Sequence, residues 1–169
     1  MEQETKLQSD KVCEEEILAR IALAPRDIDS ETSLPKDSFI SLRNEEGGIS
    51  FLRFDYLGYD EFVARGLERE SKYNSNKKQK KYAFVGWMEG VAKDIKALAP
   101  DIIDFTIDKP DESPEHVNVR FYKAGDLVKG IVTDAEILSL LDDLYHTLIF
   151  KQFNQNLDDE DDGEQVCQR

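Results

Sequence analysis

Four residues, Lys123, Ala124, Gly125 and Asp126, separate the run HVNVRFY from LVKGIV. So short a connection can join two strands only in the antiparallel sense, because a parallel pair needs a crossover of a dozen or more residues. FISLR and ISFLRFDYL stand in the same relation across NEEGG, where Gly47 and Gly48 suit a turn, so a second hairpin is predicted there. YAFVGW and DIIDFTID read as further strands. Helical spacing recurs in three places. YDEFVARGLERE turns Phe62, Val63 and Leu67 to one side, and WMEGVAKDIKALAP carries Met88, Val91, Ala92, Ile95, Leu98 and Ala99 until Pro100 stops it. In the third, Thr133 and Glu136 form a capping box before a helix whose Ile137, Leu138, Leu141, Leu144, Tyr145, Leu148 and Ile149 share a face that would seal the sheet. The segment DKVCEEEILARIALAP reads as a helix from Asp10 in its first half, while ILARIAL alone also suits a strand. This order predicts one α+β domain, a mostly antiparallel sheet of about five or six strands with about three or four helices on one face.

The 169-residue chain is 40% apolar, enough for one core. The expected layout is an N-terminal tail over 1–10, a domain over 11–155 and an acidic tail over 156–169, where DDEDDGE is too polar to bury a core face and is expected to be disordered. MEQETKLQSD lacks the apolar stretch of a leader, and no window holds the roughly 20 apolar residues of a membrane span, so a soluble, cytoplasmic protein without a membrane partner is expected. Cys13 and Cys167 read as separate thiols, and with only His116 and His146 beside them no metal or other cofactor is predicted. The net charge is −14, and the part between the tails is acidic too. Such a body repels phosphate backbones on average, which disfavours nucleic acid and anionic membranes and favours a basic protein partner.

Familiar catalytic signatures are missing: there is no GxxxxGK[ST] loop, GxGxxG turn, GxSxG elbow or HExxH pair. Arg20, Arg26, Ser38, Ser41, Arg43 and Arg53 supply the cations and hydroxyls that a phosphate site needs, although no spacing unites them. His116 opens a strand directly after PDESPE and could face a groove or merely cap the strand edge. His146 falls on the polar side of the last helix with Asp142 and Asp143. KYNSNKKQKKY packs five lysines between and beside Tyr73 and Tyr82, reading first as a solvated loop, second as a protein contact and third as a nucleic-acid contact. Partner contacts are therefore assigned to Lys77, Lys78, Lys80, Lys81, Asp142 and Asp143.

LARIAL, LPKDSFISL and PEHVNV occur in that order. The arrangement resembles small uncharacterised bacterial proteins that place an Arg-Ile, a Ser-Phe and a Pro-x-His segment in the same succession. The resemblance carries no activity; it adds weight only to Arg20, Ser38 and His116 meeting in space. Two functions compete. One is a small acidic interaction protein of the immunity or antitoxin kind that covers a basic partner, steered by charge. The other is an enzyme acting on a nucleotide, with Arg20 holding phosphate while Ser38 and His116 orient the reacting group. Convergence of those three residues would favour the second.

Overall fold

The computed structural model describes residues 10–42, 46–75 and 81–154. Seven strands are formed among them: β1 (Ile17–Ala24), β2 (Ile49–Arg53), β3 (Ala83–Val91), β4 (Ile103–Thr106), β5 (His116–Lys123), β6 (Asp126–Leu127) and β7 (Ile149–Gln152). Four α-helices accompany them: α1 (Phe54–Leu57), α2 (Tyr59–Ser75), α3 (Ala92–Ala97) and α4 (Ala135–Thr147). The sheet runs β4-β5-β2-β1-β3-β7, with β6 paired to β5, and every pairing is antiparallel. The fold is thus α+β, and no described helix is long and apolar enough to cross a membrane.

The strands follow from where each sits in this sheet. In β5, Val117, Val119 and Phe121 are fully buried between His116, Asn118 and Arg120, the alternation of a strand covered on one side. β1 lies in the middle of the sheet and buries Leu18, Ala19, Ile21, Ala22 and Leu23. Both of its faces are covered, so its apolar run is continuous and mimics a helical stripe. The predicted helix from Asp10 does not form: Asp10–Glu16 is irregular and the strand reading of ILARIAL holds.

Several other boundaries differ from expectation. The described part of FISLR, 39–42, is not a strand; Asp37–Phe39 is a 3-10 turn, and Phe39, Ile40 and Leu42 are all buried, so they lid the core instead of pairing with β2. β2 instead pairs with the distant β1 and β5, and FDYL after it is helical. β3 runs on to Val91 because it pairs with β1 along its length, leaving α3 only Ala92–Ala97. The cap of α4 is Asp134, whose carboxylate accepts from the Glu136 and Ile137 amides, so the Thr133 capping box is displaced by one residue. That helix ends at Thr147, and the expected helical Ile149 begins β7, which pairs with β3. α2 is longer than expected, taking in Lys72, Tyr73, Asn74 and Ser75 from the start of the lysine run. Lys77, Lys78, Lys80, Arg43, Cys167 and the expected tails, apart from Asp10, lie outside the described residues.

Helices cover both faces, not one. On one face Ile137, Leu141 and Leu144 of α4 and Ile95 of α3 pack with Leu18, Phe51, Met88 and Phe121. On the other, Phe62 of α2 packs with Ala19, Ile21, Leu23, Leu52, Phe84 and Trp87. Gly66 sets the approach of α2: a Cβ there would meet the Phe84 ring at 2.6 Å, and that ring is stacked on Phe153. Alanine is the better helix former, but it would have to push a buried ring or lift the helix. We expect Gly66→Ala to lower stability by about 1–3 kcal/mol, the range for overpacked cores, measured as a shift in the urea midpoint at unchanged slope.

Candidate functional site

β1 and β2 pair only at Leu18–Arg53 and Ala19–Leu52 and then diverge. Arg20 bridges the opening: its Nε donates to the Phe39 carbonyl at 3.2 Å and its Nη1 to the Ser50 carbonyl at 2.8 Å, while its guanidinium lies 4.9 Å from the Phe39 ring centre. The loop after β1 folds back on itself. The Asp27 amide donates to the Leu23 carbonyl, the Asp27 carboxylate accepts from the Leu23 amide, and the Lys36 ammonium donates to the Pro25 and Arg26 carbonyls. Arg26 is thereby held against α2, donating to the Tyr73 hydroxyl with its guanidinium 4.9 Å from that ring. Arg69, one helical turn before Tyr73, faces the same ring from 5.9 Å.

Arg20, Arg26 and Arg69 line one cavity of about 590 Å³ together with Ser38, Ser41 and Ser50. Asp27 is the only carboxylate among the described residues of its lining, and it lies 3.6 Å from Arg26. Among the described residues Arg20 and Arg69 make no ion pair. Burial chiefly, and then the charge of Arg69, pull the Arg20 guanidinium down from its ordinary value to about 10; Asp27 opposes this and Arg26 adds to it. Burial resists ionisation of the Tyr73 hydroxyl, yet the charges and hydrogen bonds of Arg26 and Arg69 bring it below the ordinary tyrosine value. Ser41 donates to the Ser38 backbone carbonyl, and the exposed Ser38 hydroxyl, which makes no hydrogen bond among the described residues, stands at the cleft.

Arg69 also walls a second cavity, a groove of about 500 Å³ between α2 and the sheet. Its floor is Ile21 and Leu52, α2 contributes Arg65, Glu68, Lys72 and Tyr73, and His116 lines it from β5. His116 stands opposite Leu52 in the β2–β5 ladder and is exposed. Arg20 and Ser38 therefore share one cavity, and His116 belongs to the adjoining one. Arg26 and Ser41 join the first pair as well.

Arg53 has a different role. Its side chain is buried with Glu16: Nε and Nη2 donate to the two carboxylate oxygens at 2.7 Å each, Nη1 donates to the Pro114 carbonyl and Nη2 to the Lys11 carbonyl. A charged group this deep cannot reach a soluble ligand. His146 is exposed on α4, its Nδ1 2.9 Å from the Asp142 carbonyl, and Asp142 and Asp143 are exposed beside it. They lie on α4, which packs with Leu18, Phe51 and Phe121, and Lys81 is exposed just before β3. Gly47 and Gly48 do not close a hairpin; their positive φ angles of 69° and 145° carry the chain close past Val128 and Asn118. No cluster of three or more His, Cys, Asp or Glu among the described residues could hold a metal ion.

The sequence reading missed Arg69 and Arg65, and it placed Lys72 in the lysine run and not at a site. Their signal was present: positions 65, 69 and 72 recur at four and three residues, one face of a helix. No protein-family model, curated protein or solved structure matches the chain.

Two outcomes test this geometry. In a spectrophotometric pH titration one of the six tyrosines should ionise below the usual range near 10, and that early step should vanish in Tyr73→Phe. Glu16→Leu should cost about 3–5 kcal/mol by leaving the Arg53 charge buried and unpaired, with the double variant Glu16→Leu/Arg53→Met recovering part of the loss in denaturant unfolding.

Proposed function

We propose that the protein binds a phosphate-bearing anion in the cleft between Arg20, Arg26 and Arg69. The observation that carries this reading is a gathering of guanidinium groups with a single carboxylate among the described lining residues, in a chain whose net charge is −14. Chance placement in so acidic a protein would surround arginines with carboxylates. Like charges held together repel, so the cleft is stabilised by an anion that neutralises them. Guanidinium forks match the oxygens of phosphate in geometry as well as charge, and the Ser38 hydroxyl adds a neutral donor.

The competing reading, an acidic surface of the immunity or antitoxin kind for a basic partner, draws on net charge alone. Net charge chiefly serves solubility and says little about a particular ligand. The meeting of Arg20 and Ser38 in one cavity favours the anion.

Isothermal titration with inorganic phosphate and with pyrophosphate at low ionic strength tests the proposal. Binding is expected for both, weakening as salt is added. Arg69→Gln is the informative variant, because Arg69 pairs with no carboxylate among the described residues. Its loss should weaken binding at least about tenfold, the scale of one charge-assisted hydrogen bond. Wild-type protein that binds neither anion overturns the reading.

A further inference from the structure

We infer that the groove beside the cleft receives the organic part of the same ligand, and that this part is a flat heteroaromatic ring, making the ligand a nucleoside monophosphate. The inference rests on the phosphate reading of the cleft and extends it to a substrate class.

Three observations lead to it. Arg69 borders both cavities, so a phosphate held by Arg20, Arg26 and Arg69 has the groove directly beside it. The two cavities also share strands: Ser50 and Leu52 are two apart in β2 and lie on one face, whereas Arg20 and Ile21 are consecutive in β1 and point to opposite faces, so the Arg20 guanidinium reaches its cleft where β1 and β2 part. Arg69, common to both linings, is the link beside which one molecule would reach from the cleft into the groove.

The second observation is the floor. Ile21 and Leu52 present aliphatic surface with no hydrogen-bonding group, which suits the face of a ring and not a polyol or a bare polyphosphate, whose oxygens would lose water there without replacement. At about 500 Å³ the groove lies within the range of cavities that enclose small organic ligands.

The third is what surrounds the floor. The His116 imidazole is exposed on the β5 side and makes no hydrogen bond within the described residues, so its face is available for stacking, as aromatic side chains stack on nucleobases. Across from it Glu68 offers an acceptor for a ring amine or a ribose hydroxyl, and Lys72 and Arg65 offer donors for ring nitrogens or carbonyls. An apolar floor, a stacking wall and polar groups of both kinds at the rim describe a nucleobase site better than a site for an alkyl or acyl phosphate.

The test compares adenosine 5′-monophosphate, ribose 5-phosphate and inorganic phosphate in isothermal titration, with proton NMR of the two histidines. The mononucleotide should bind at least about tenfold more tightly than ribose 5-phosphate, the increment of one stacked base. It should shift the His116 ring resonances and leave those of His146, on the other side of the sheet, in place. In His116→Ala the advantage of the mononucleotide should shrink to a few-fold while affinity for inorganic phosphate is unchanged. If inorganic phosphate binds but the mononucleotide gains nothing over ribose 5-phosphate, or binds without moving the His116 resonances, the groove inference is wrong and the anion reading survives. If no phosphate compound binds, the anion reading fails and this inference falls with it.

Discussion

The buried pair of Arg53 and Glu16 is the joint on which the sheet is assembled. Two bonds of 2.7 Å between the guanidinium and the carboxylate bind the end of β2 to the residue before β1. The remaining donors of Arg53 reach the Lys11 and Pro114 carbonyls, while its own amide donates to the Glu115 carbonyl at 2.9 Å. The Tyr56 ring covers it at 4.6 Å. Desolvating two charges is costly, and only this degree of hydrogen bonding offsets it. One residue thereby holds three chain segments that lie far apart in sequence, and it determines which ends of β1, β2 and β5 meet.

From that joint the strands run away in register, and the site follows. Leu52, next to Arg53, is fixed opposite His116 in β5 and opposite Ala19 in β1. Beyond Ala19 the two strands part, and the strand carbonyl of Ser50 that would otherwise lie open is taken by Arg20. The cleft is thus a consequence of an interrupted ladder. α2, held close by the contact of Gly66 with Phe84, covers β1 and β3 and stops short of the β2–β5 half of the same face. Its Arg65, Arg69 and Lys72 then overlook uncovered sheet, and a groove remains between them.

Electrostatics in this protein are local. A net charge of −14 gives an average field that repels anions, yet at the screening length of physiological salt, about 8 Å, a ligand in the cleft responds mainly to the groups that line it. Those groups are arginines held by backbone carbonyls and by the Tyr73 hydroxyl, partners that satisfy guanidinium hydrogen bonds without cancelling charge. The sequence reading weighed the average and so favoured a basic partner. Where side chains from β1, the loop after it and α2 meet, the average does not apply.

Local patterns were legible in the amino-acid order. Alternation in HVNVRFY, the apolar face of α4, the helix over YDEFVARGLERE and the antiparallel sense of the sheet all depend on neighbours within a few residues, whose torsions and side-chain directions repeat with a fixed period. The absence of familiar catalytic motifs was equally readable, as was the suitability of Arg20, Arg26, Ser38 and Ser41 for a phosphate. Pairing was not. FISLR and ISFLR are separated by only the five residues NEEGG and look like a hairpin, but burial of Phe39, Ile40 and Leu42 together, and the tie from Arg53 to Glu16, outweigh proximity and send β2 to partners more than 30 residues away. Burial on both sides likewise left ILARIAL readable as helix or as strand. Composition and periodicity could supply the elements and the chemical groups; only long-range packing decided that Arg53 would be sealed in the core while Arg69, which had drawn no notice, would stand beside Arg20 at a cleft.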